Sequence, residues 1–284
     1  MKTSGYQAVG ERGLRANPGV RRSPPQGRNR RHAARARIAL AALAVPLLIA
    51  VAGGLGRASA LTGEEILKRV DENTNFSTIS YDGTLAIHSQ GTVRTKEMKV
   101  IAMGVTKALV EFTNSEDFGT KYLKIDKNLW IYFPSEQDTV RISGNMLKQG
   151  MMGSDVSYED ALDSDPLYRK YAVAVTGTET VDGRPCYVLT LTATARDVQY
   201  DKRKIWVDQE RFVPLRQEMY AQSGKLLKVF RTLEVRKIEG RYFPVRSEVV
   251  DELKADSRTV FAMKEVRFDV PVDPGLFSLR NLGR

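Results

Sequence analysis

About a dozen short apolar runs fill the chain from Thr84 to Val270, each of strand length and each ended by turn residues. The runs cover residues 84–87, 97–103, 108–112, 122–125, 129–133, 139–142, 171–175, 186–191, 204–207, 215–220, 226–235, 242–250 and 259–270. Asp182-Gly183, Ser223-Gly224 and Glu239-Gly240 supply hairpin turns, because glycine tolerates the positive φ that such turns need. Short connections between consecutive strands predict a mainly β protein with one large antiparallel sheet and a few helices.

Two capping boxes predict where helices begin. Thr62-Gly-Glu-Glu65 opens an amphipathic helix that we expect to end near Asn73. Ser157-Tyr-Glu-Asp160 opens a second helical turn, which Pro166 is expected to stop. This second turn lies in residues 144–168, which interrupt the series of strands, so we expect a helical excursion between two halves of the sheet.

Several runs are apolar on both faces of the predicted strand. Leu129, Ile131 and Phe133 point to one face, while Trp130 and Tyr132 point to the other. Such runs are typical of parallel sheets covered by helices, but this chain has too few helices for that arrangement. Two interpretations remain open: a plain β core with aromatic packing, or a strongly curved sheet with an apolar concave space for a ligand.

The net positive charge of the chain comes entirely from its first sixty residues. The whole chain carries 44 Lys and Arg against 34 Asp and Glu, a net charge of +10. Residues 1–60 hold 11 of the basic residues and one acidic residue, which leaves 33 of each sign in residues 61–284. A neutral domain with mixed charges lacks the basic surface of a nucleic-acid-binding protein, so no nucleic acid is expected as a partner.

The first sixty residues have the order of features of a secretory signal. Residues 1–37 predict a disordered basic extension and n-region, and residues 38–60 an apolar h-region followed by a cleavage site. Ala58-Ser59-Ala60 is an A-x-A site, and cleavage there makes Leu61 the first residue of a mature domain, residues 61–284. The alternative is an uncleaved inner-membrane anchor, because residues 38–56 carry no charge over a length that just spans a bilayer.

Residues for catalysis are sparse in the mature part. It contains one histidine, His88, and one cysteine, Cys186, and it lacks the common hydrolase, metalloprotease and phosphate-loop motifs. An acidic cluster comprises Asp155, Glu159, Asp160, Asp163 and Asp165. Helix capping by these carboxylates and calcium binding are both compatible with the pattern, although the turn glycine of a calcium loop is missing. We therefore expect no enzyme activity, no metal and no cofactor.

Several motifs, in order and spacing, resemble the outer-membrane lipoprotein-sorting proteins related to LolA, in particular a branch found in spirochaetes. They are Leu129-Trp-Ile-Tyr-Phe-Pro134, Met152-Gly-Ser-Asp-Val-Ser-Tyr-Glu-Asp160, Thr180-Val-Asp-Gly-Arg184, Cys186-Tyr-Val-Leu189, Ile205-Trp-Val-Asp208, Pro214-Leu-Arg216, Gly224-Lys-Leu226 and Leu276-Phe-Ser-Leu-Arg280. The resemblance covers about residues 61–284. It implies an unclosed antiparallel β half-barrel with helices on its concave side and a hydrophobic cavity.

The resemblance also implies a function. It points to an exported periplasmic chaperone that binds the acyl chains of lipoproteins or lipids and carries them toward the outer membrane, with inner- and outer-membrane lipoprotein machinery as partners. A second hypothesis is a binding domain that senses envelope lipids or proteins and acts through a membrane partner. An uncleaved anchor would favour the second hypothesis.

Strand phase gives candidate cavity residues, although it leaves open which face of each strand is the lining one. The candidates are Met98, Val100, Val110, Leu129, Trp130, Ile131, Tyr132, Phe133, Leu189, Leu191 and Trp206. Met146, Met151 and Met152 are candidates for an adaptable lid, because methionine repacks easily around different ligands. A helix docked permanently as part of the core explains the same methionines equally well.

Overall fold

The computed structural model describes residues 60–283, and the predicted leader, with the cleavage-site residue Ala58, lies outside this range. The strands are β1 (Thr78–Ser89), β2 (Thr92–Met103), β3 (Lys107–Phe112), β4 (Lys121–Ile125), β5 (Asn128–Phe133), β6 (Asp138–Ile142), β7 (Tyr171–Val181), β8 (Arg184–Ala193), β9 (Lys202–Asp208), β10 (Pro214–Tyr220), β11 (Leu226–Ile238), β12 (Arg241–Asp251) and β13 (Ser257–Phe268). Each corresponds to one predicted apolar run. The strand prediction is confirmed.

The helices are few and short. They are α1 (Gly63–Asn73), α2 (Tyr158–Leu162), α3 (Leu167–Lys170) and α4 (Leu279–Leu282), with 3₁₀ turns at Ser115–Asp117, Gly144–Lys148, Met151–Gly153 and Pro274–Leu276. Both predicted capping boxes are present, at Thr62 for α1 and at Ser157 for α2. The second helix continues through Leu162, as expected, and Pro166 lies beyond it as the residue that begins α3.

All thirteen strands form one antiparallel, unclosed sheet, as predicted. Its order is β6-β5-β4-β3-β2-β1-β13-β12-β11-β10-β9-β8-β7. The first six strands form a meander that runs outward to one edge, and the last seven form a meander that returns from the other edge. Residues 143–170, which we call the strap, therefore connect the two edges of the same sheet. This is the predicted helical excursion, and it crosses one face of the half-barrel.

The hairpin turns have the backbone geometry that their sequences predict. Asp182 and Gly183 have φ of 49° and 75°, and Glu239 and Gly240 have φ of 48° and 86°. Two consecutive residues with positive φ match the twist of the flanking strands, which is why Asp-Gly pairs favour such hairpins. These turns fix the register of β7 with β8 and of β11 with β12.

Directly paired residues trace one face of the sheet from strand to strand. The row consists of Ile87, Thr259, Val249, Phe230, Gln217, Ile205 and Leu189. Helix α1 and the strap pack on this side, which we call the inner face; the opposite side is the outer face. No helix within residues 60–283 combines the length and the hydrophobicity that crossing a membrane requires.

Candidate functional site

Two of the hydrophobic clusters on the inner face lie under the strap, one at each of its ends. The first joins strands β1 to β6 to Tyr158 and Leu162 of α2. The second joins strands β7 to β9 to Ile66 and Leu67 of α1, with Leu167 of α3 packed against it. The strap therefore contacts both clusters, and the middle of the inner face, formed by β9 to β12, lies between them.

The structure separates the predicted cavity residues by face. Met98, Val100, Leu129 and Ile131 are buried on the inner face under the strap, and Val110 packs against them. Phe133 shares the strand phase of Leu129 and Ile131, and it is 38% exposed at the end of β5. Leu189 and Leu191 are buried on the inner face under α1.

The predicted aromatic residues lie on the other side of the sheet. Trp130 and Tyr132 pack on the outer face, against a cluster that contains Phe277 and Leu282 of the C-terminal turn. Trp206 is buried on the outer face beside Cys186 and donates its indole N–H to a Glu179 carboxylate oxygen at 2.7 Å. These three residues are therefore remote from the face that the strap covers.

The strap methionines have different surroundings. Met151 and Met152 pack against the cluster under the strap, and the Tyr122 hydroxyl donates to the Met152 sulfur at 2.7 Å. Met152 also has a positive φ of 53°, a backbone conformation that residues other than glycine rarely adopt. Met146 is 38% exposed. Two of the three candidate lid residues are thus docked in the core in this structure.

A cleft of about 960 Å³ occupies the middle of the inner face. Its floor comes from β9 to β12, and its walls come from the C-terminal half of α1, the turn after β2 and the strap. Apolar side chains in the lining are Phe76, Val105, Val156, Pro166, Leu167, Met219, Phe230 and Val249. None of the cavity residues predicted from the sequence belongs to this lining.

One pair of charged side chains, Asp160 and Lys228, meets across the cleft. Asp160 of α2 accepts a hydrogen bond from the Lys228 ammonium of β11 at 2.5 Å and from the Tyr200 hydroxyl at 2.7 Å. The Lys228 side chain is only 10% exposed, and that of Asp160 is 20% exposed. The same carboxylate caps α2 by accepting the backbone N–H and the hydroxyl of Ser157. This pair therefore ties the strap to the floor of the cleft.

The environment of Asp160 lowers its pKa. Burial alone would raise the pKa, but the charge of Lys228 and the hydrogen bonds from Lys228 and Ser157 outweigh it. A carboxyl with a lowered folded-state pKa stabilises the fold above its unfolded-state pKa of about 3.9, and this stabilisation is lost as the pH falls through the folded-state pKa.

Replacing Lys228 by methionine is expected to destabilise the protein in a pH-dependent way. At neutral pH the variant buries an unpaired Asp160 carboxylate, whereas in acid the carboxyl is protonated in both proteins. The difference in free energy of unfolding between wild type and Lys228→Met should shrink from about pH 7 toward about pH 3. Urea denaturation at several pH values measures it, with the exposed Lys225→Met as control. A pH-independent difference would contradict the pairing.

Asp155 forms a second attachment of the strap, at the centre of the sheet. Its side chain is fully buried and accepts hydrogen bonds from the hydroxyls of Ser257 at 2.6 Å and Thr259 at 2.8 Å, both on β13. The backbone N–H of Asp155 donates to the Thr259 oxygen at 2.9 Å, and Lys254 lies 3.4 Å from the carboxylate. The strap is therefore fastened to β13 by Asp155 and to β11 by Asp160.

Two further carboxylates of the acidic cluster, those of Asp163 and Asp165, form ion pairs. Asp163 pairs with Lys170 and Arg203, and Asp165 pairs with Lys170 and Lys127. Among the described residues, no group of three or more His, Cys, Asp and Glu side chains is arranged to hold a metal ion. Burial is the main cause that raises the pKa of the Cys186 thiol to about 11, so this cysteine is an inert core residue.

Solved structures with the same fold include three close in size to the described domain. A DUF1329 family protein from Desulfovibrio piger is 26% identical, with a TM-score of 0.72 over 78% of this chain and 97% of its own. A LolA superfamily protein from Nitrosomonas europaea is 25% identical, with a TM-score of 0.64 over 78% of this chain and 99% of its own. A family model described as "Uncharacterized protein" matches residues 104–284, more than half of the chain. The chain belongs to the family that this model describes, and its structural neighbours include a LolA superfamily protein.

A third structure extends the likeness within the LolA-like fold. The domain of a putative outer membrane lipoprotein-sorting protein from Vibrio parahaemolyticus is 21% identical, with a TM-score of 0.70 over 78% of this chain and 98% of its own. At that identity the likeness shows the fold alone. No curated protein matches this LolA-like chain by sequence. The resemblance inferred from the motifs is thus confirmed at the level of family and fold.

Proposed function

We propose that this LolA-like protein is an exported periplasmic carrier that binds the acyl chains of lipoproteins or lipids in the cleft on its inner face. The observation that best supports this proposal is the cleft itself, which has a volume of about 960 Å³ and is lined by half-buried apolar side chains such as Phe230 and Val249. This volume lies within the range of small-molecule sites. Removing an acyl chain from water is worth about 0.8 kcal/mol per buried methylene, so such a cleft can hold a lipid anchor in an aqueous compartment.

The comparisons support this proposal without extending it to a particular cargo. The Vibrio relative is described as a lipoprotein-sorting protein domain, and the Nitrosomonas relative as a LolA superfamily protein. A binding role rather than a catalytic one fits a cleft in which Asp160 is paired with Lys228 and Asp163 with Arg203. Transfer to the outer membrane, and contact with lipoprotein machinery on either membrane, belong to the proposal.

We propose further that the apolar surface beneath the strap adjoins the site. When the strap lifts, longer acyl chains would reach the residues beneath it, which are Met98, Val100, Val110, Leu129, Ile131 and Phe133. Leu189 and Leu191 form the corresponding wall under α1. Met146, Met151 and Met152 would then act as the movable cover. The proposed site does not include the aromatic residues of the outer face, Trp130, Tyr132 and Trp206.

Whether the predicted leader is cleaved distinguishes a free carrier from a membrane-anchored sensor. Cleavage after Ala60 would release residues 61–284 as a free carrier, whereas an uncleaved segment 38–56 would tether a sensing domain to the inner membrane. Mass spectrometry of the protein from its own cell envelope tests both points. We expect a chain that begins at Leu61 and that carries acyl lipid, identified by organic extraction. Protein that is empty and also fails to take up a fluorescent fatty acid would refute the carrier proposal.

A further inference from the structure

The two edges of the sheet are unlike each other. The edge strand β6 has five residues, includes Asp138 and Arg141, and leads directly into the strap. The edge strand β7 has eleven residues, and its first eight, from Tyr171 to Thr178, carry no charge. Sheet edges are normally protected by shortness or by charged side chains, because a bare edge pairs with other chains. β6 is protected in this way, and β7 is not.

The free side of β7 is open to solvent from Ala174 onward, whereas Gly63 of α1 lies beside Val173. Ala172 and residues 174–180 are exposed, with Val175 41% exposed, and within residues 60–283 only β8 pairs with this strand. The one charged residue of β7, Glu179, is held by Lys204 and Trp206 of β9, on the other side of β8. Thus the one charge in the strand is already paired.

Backbone groups of β7 point outward in a regular pattern as far as Val175, after which the register with β8 shifts by one residue. The Thr194 N–H donates to the Lys170 carbonyl at 2.8 Å, so residue 170 bonds toward β8. Because ladder bonds in an antiparallel pair alternate, residues 172 and 174 also bond toward β8. The N–H and C=O groups of Val173 and Val175 then point to the free side, where an added strand would find them, whereas the Tyr171 N–H caps α3 by donating to the Leu167 carbonyl.

This open edge begins at the rim of the cleft. Leu167, Tyr168 and Arg169 of α3 line the cleft, and the chain continues directly from α3 into β7 at Tyr171. A polypeptide with acyl groups at one end, seated in the cleft, would therefore have its next residues beside β7. A free lipid has no backbone to pair there, whereas a lipidated polypeptide has one.

We propose that the free edge of β7 binds the polypeptide part of an acylated protein cargo by strand addition, next to the cleft that holds the acyl chains. The inference rests on the proposed carrier function and selects lipoprotein over free lipid as the cargo. Main-chain hydrogen bonds supply affinity with little dependence on sequence, as in other cases of β-augmentation. The small or β-branched residues of β7 favour an uncharged, extended partner segment.

The test compares three probes on the delipidated full chain purified from its envelope: palmitic acid, an uncharged peptide of about ten residues, and the same peptide with an N-terminal palmitoyl group. Val175→Pro removes an outward N–H, and proline is tolerated at such edge positions. Val175→Thr keeps that N–H and the side-chain shape, and so serves as the matched control.

We expect the palmitoyl peptide to bind wild type and Val175→Thr at least about tenfold more tightly than palmitic acid does. Val175→Pro should lose this advantage and still bind palmitic acid as wild type does. Amide exchange measured by NMR should slow at Val173 and Val175 with the palmitoyl peptide and not with palmitic acid. This second measurement on wild-type protein keeps the test valid if the proline variant does not fold.

Each result that contradicts a proposal shows which of the two proposals fails. Equal affinity of wild type for palmitic acid and palmitoyl peptide, or equal exchange rates with both, would overturn the strand-addition proposal and leave the carrier function standing. Failure of wild type to bind either acylated probe would overturn both proposals. A dimer of the free protein that Val175→Pro separates would place a second copy of the chain on this edge, and would overturn the assignment to cargo.

Discussion

Replacing Val249 by glutamate is expected to abolish acyl-chain uptake, while the same change at the neighbouring Val250 leaves uptake intact. Both valines are half-buried in β12, but Val249 lines the cleft on the inner face and Val250 lies on the outer face. A carboxylate in the apolar floor must lose its water when the chain binds, and this should weaken binding more than about a hundredfold.

A fluorescent fatty-acid titration on both folded variants measures the difference. The pair is well matched, because the two positions share a strand, a residue type and a degree of burial. Undiminished uptake by a folded Val249→Glu protein would show that the cleft is not the site. Loss of uptake in Val250→Glu alone would move the site to the outer face.

Replacing Asp155 by alanine is expected to be the most destabilising single change in the strap. It leaves the hydroxyls of the buried Thr259 and the half-buried Ser257 without their acceptor, and it removes the nearby partner of Lys254. Losing charge-assisted hydrogen bonds of this kind costs about 3 kcal/mol, which corresponds to a fall in Tm of roughly 6–12 °C for a domain of this size.

Asp165→Ala is the control for this change. Asp165 is also a strap aspartate paired with lysines, but its side chain is 38% exposed, and exposed ion pairs contribute about 1 kcal/mol or less. Thermal unfolding and hydrogen exchange of the strap amides should therefore separate the two variants. Equal stability of the two variants would show that Asp155 does not fasten the strap.

The sequence was sufficient to predict the strands, both capped helices and the antiparallel sheet, because each depends on local patterns. Alternating apolar residues define a strand such as β8, and Asp-Gly pairs define its turn, whatever the rest of the chain does. The order of the strands in the sheet is not local. That β6 and β7, consecutive in sequence, form opposite edges follows only from the pairing of β1 with β13.

The cleft was harder to predict, for a related reason. Strand phase shows that Trp130 and Ile131 lie on different faces, but it does not show which face the strap covers. The lining comes instead from strands β9 to β12 and from the strap, which meet only in the folded protein. One signal was present: Lys228 interrupts the apolar run 226–230, and a lysine at an inward position requires a buried partner, here Asp160.

The central pair of strands sets the time at which this protein can finish folding. β1 pairs with β13 from Ile79 opposite Phe268 to Ser89 opposite Ser257, so the two ends of the sheet-forming chain meet in its middle. β13 also carries the hydroxyls that hold Asp155. During synthesis, neither the sheet nor the strap attachment is complete until β13 is available, and such distant contacts form late. A chain truncated before β13 would expose the edges of β1 and β12. Such a chain is expected to aggregate or to be degraded by proteases.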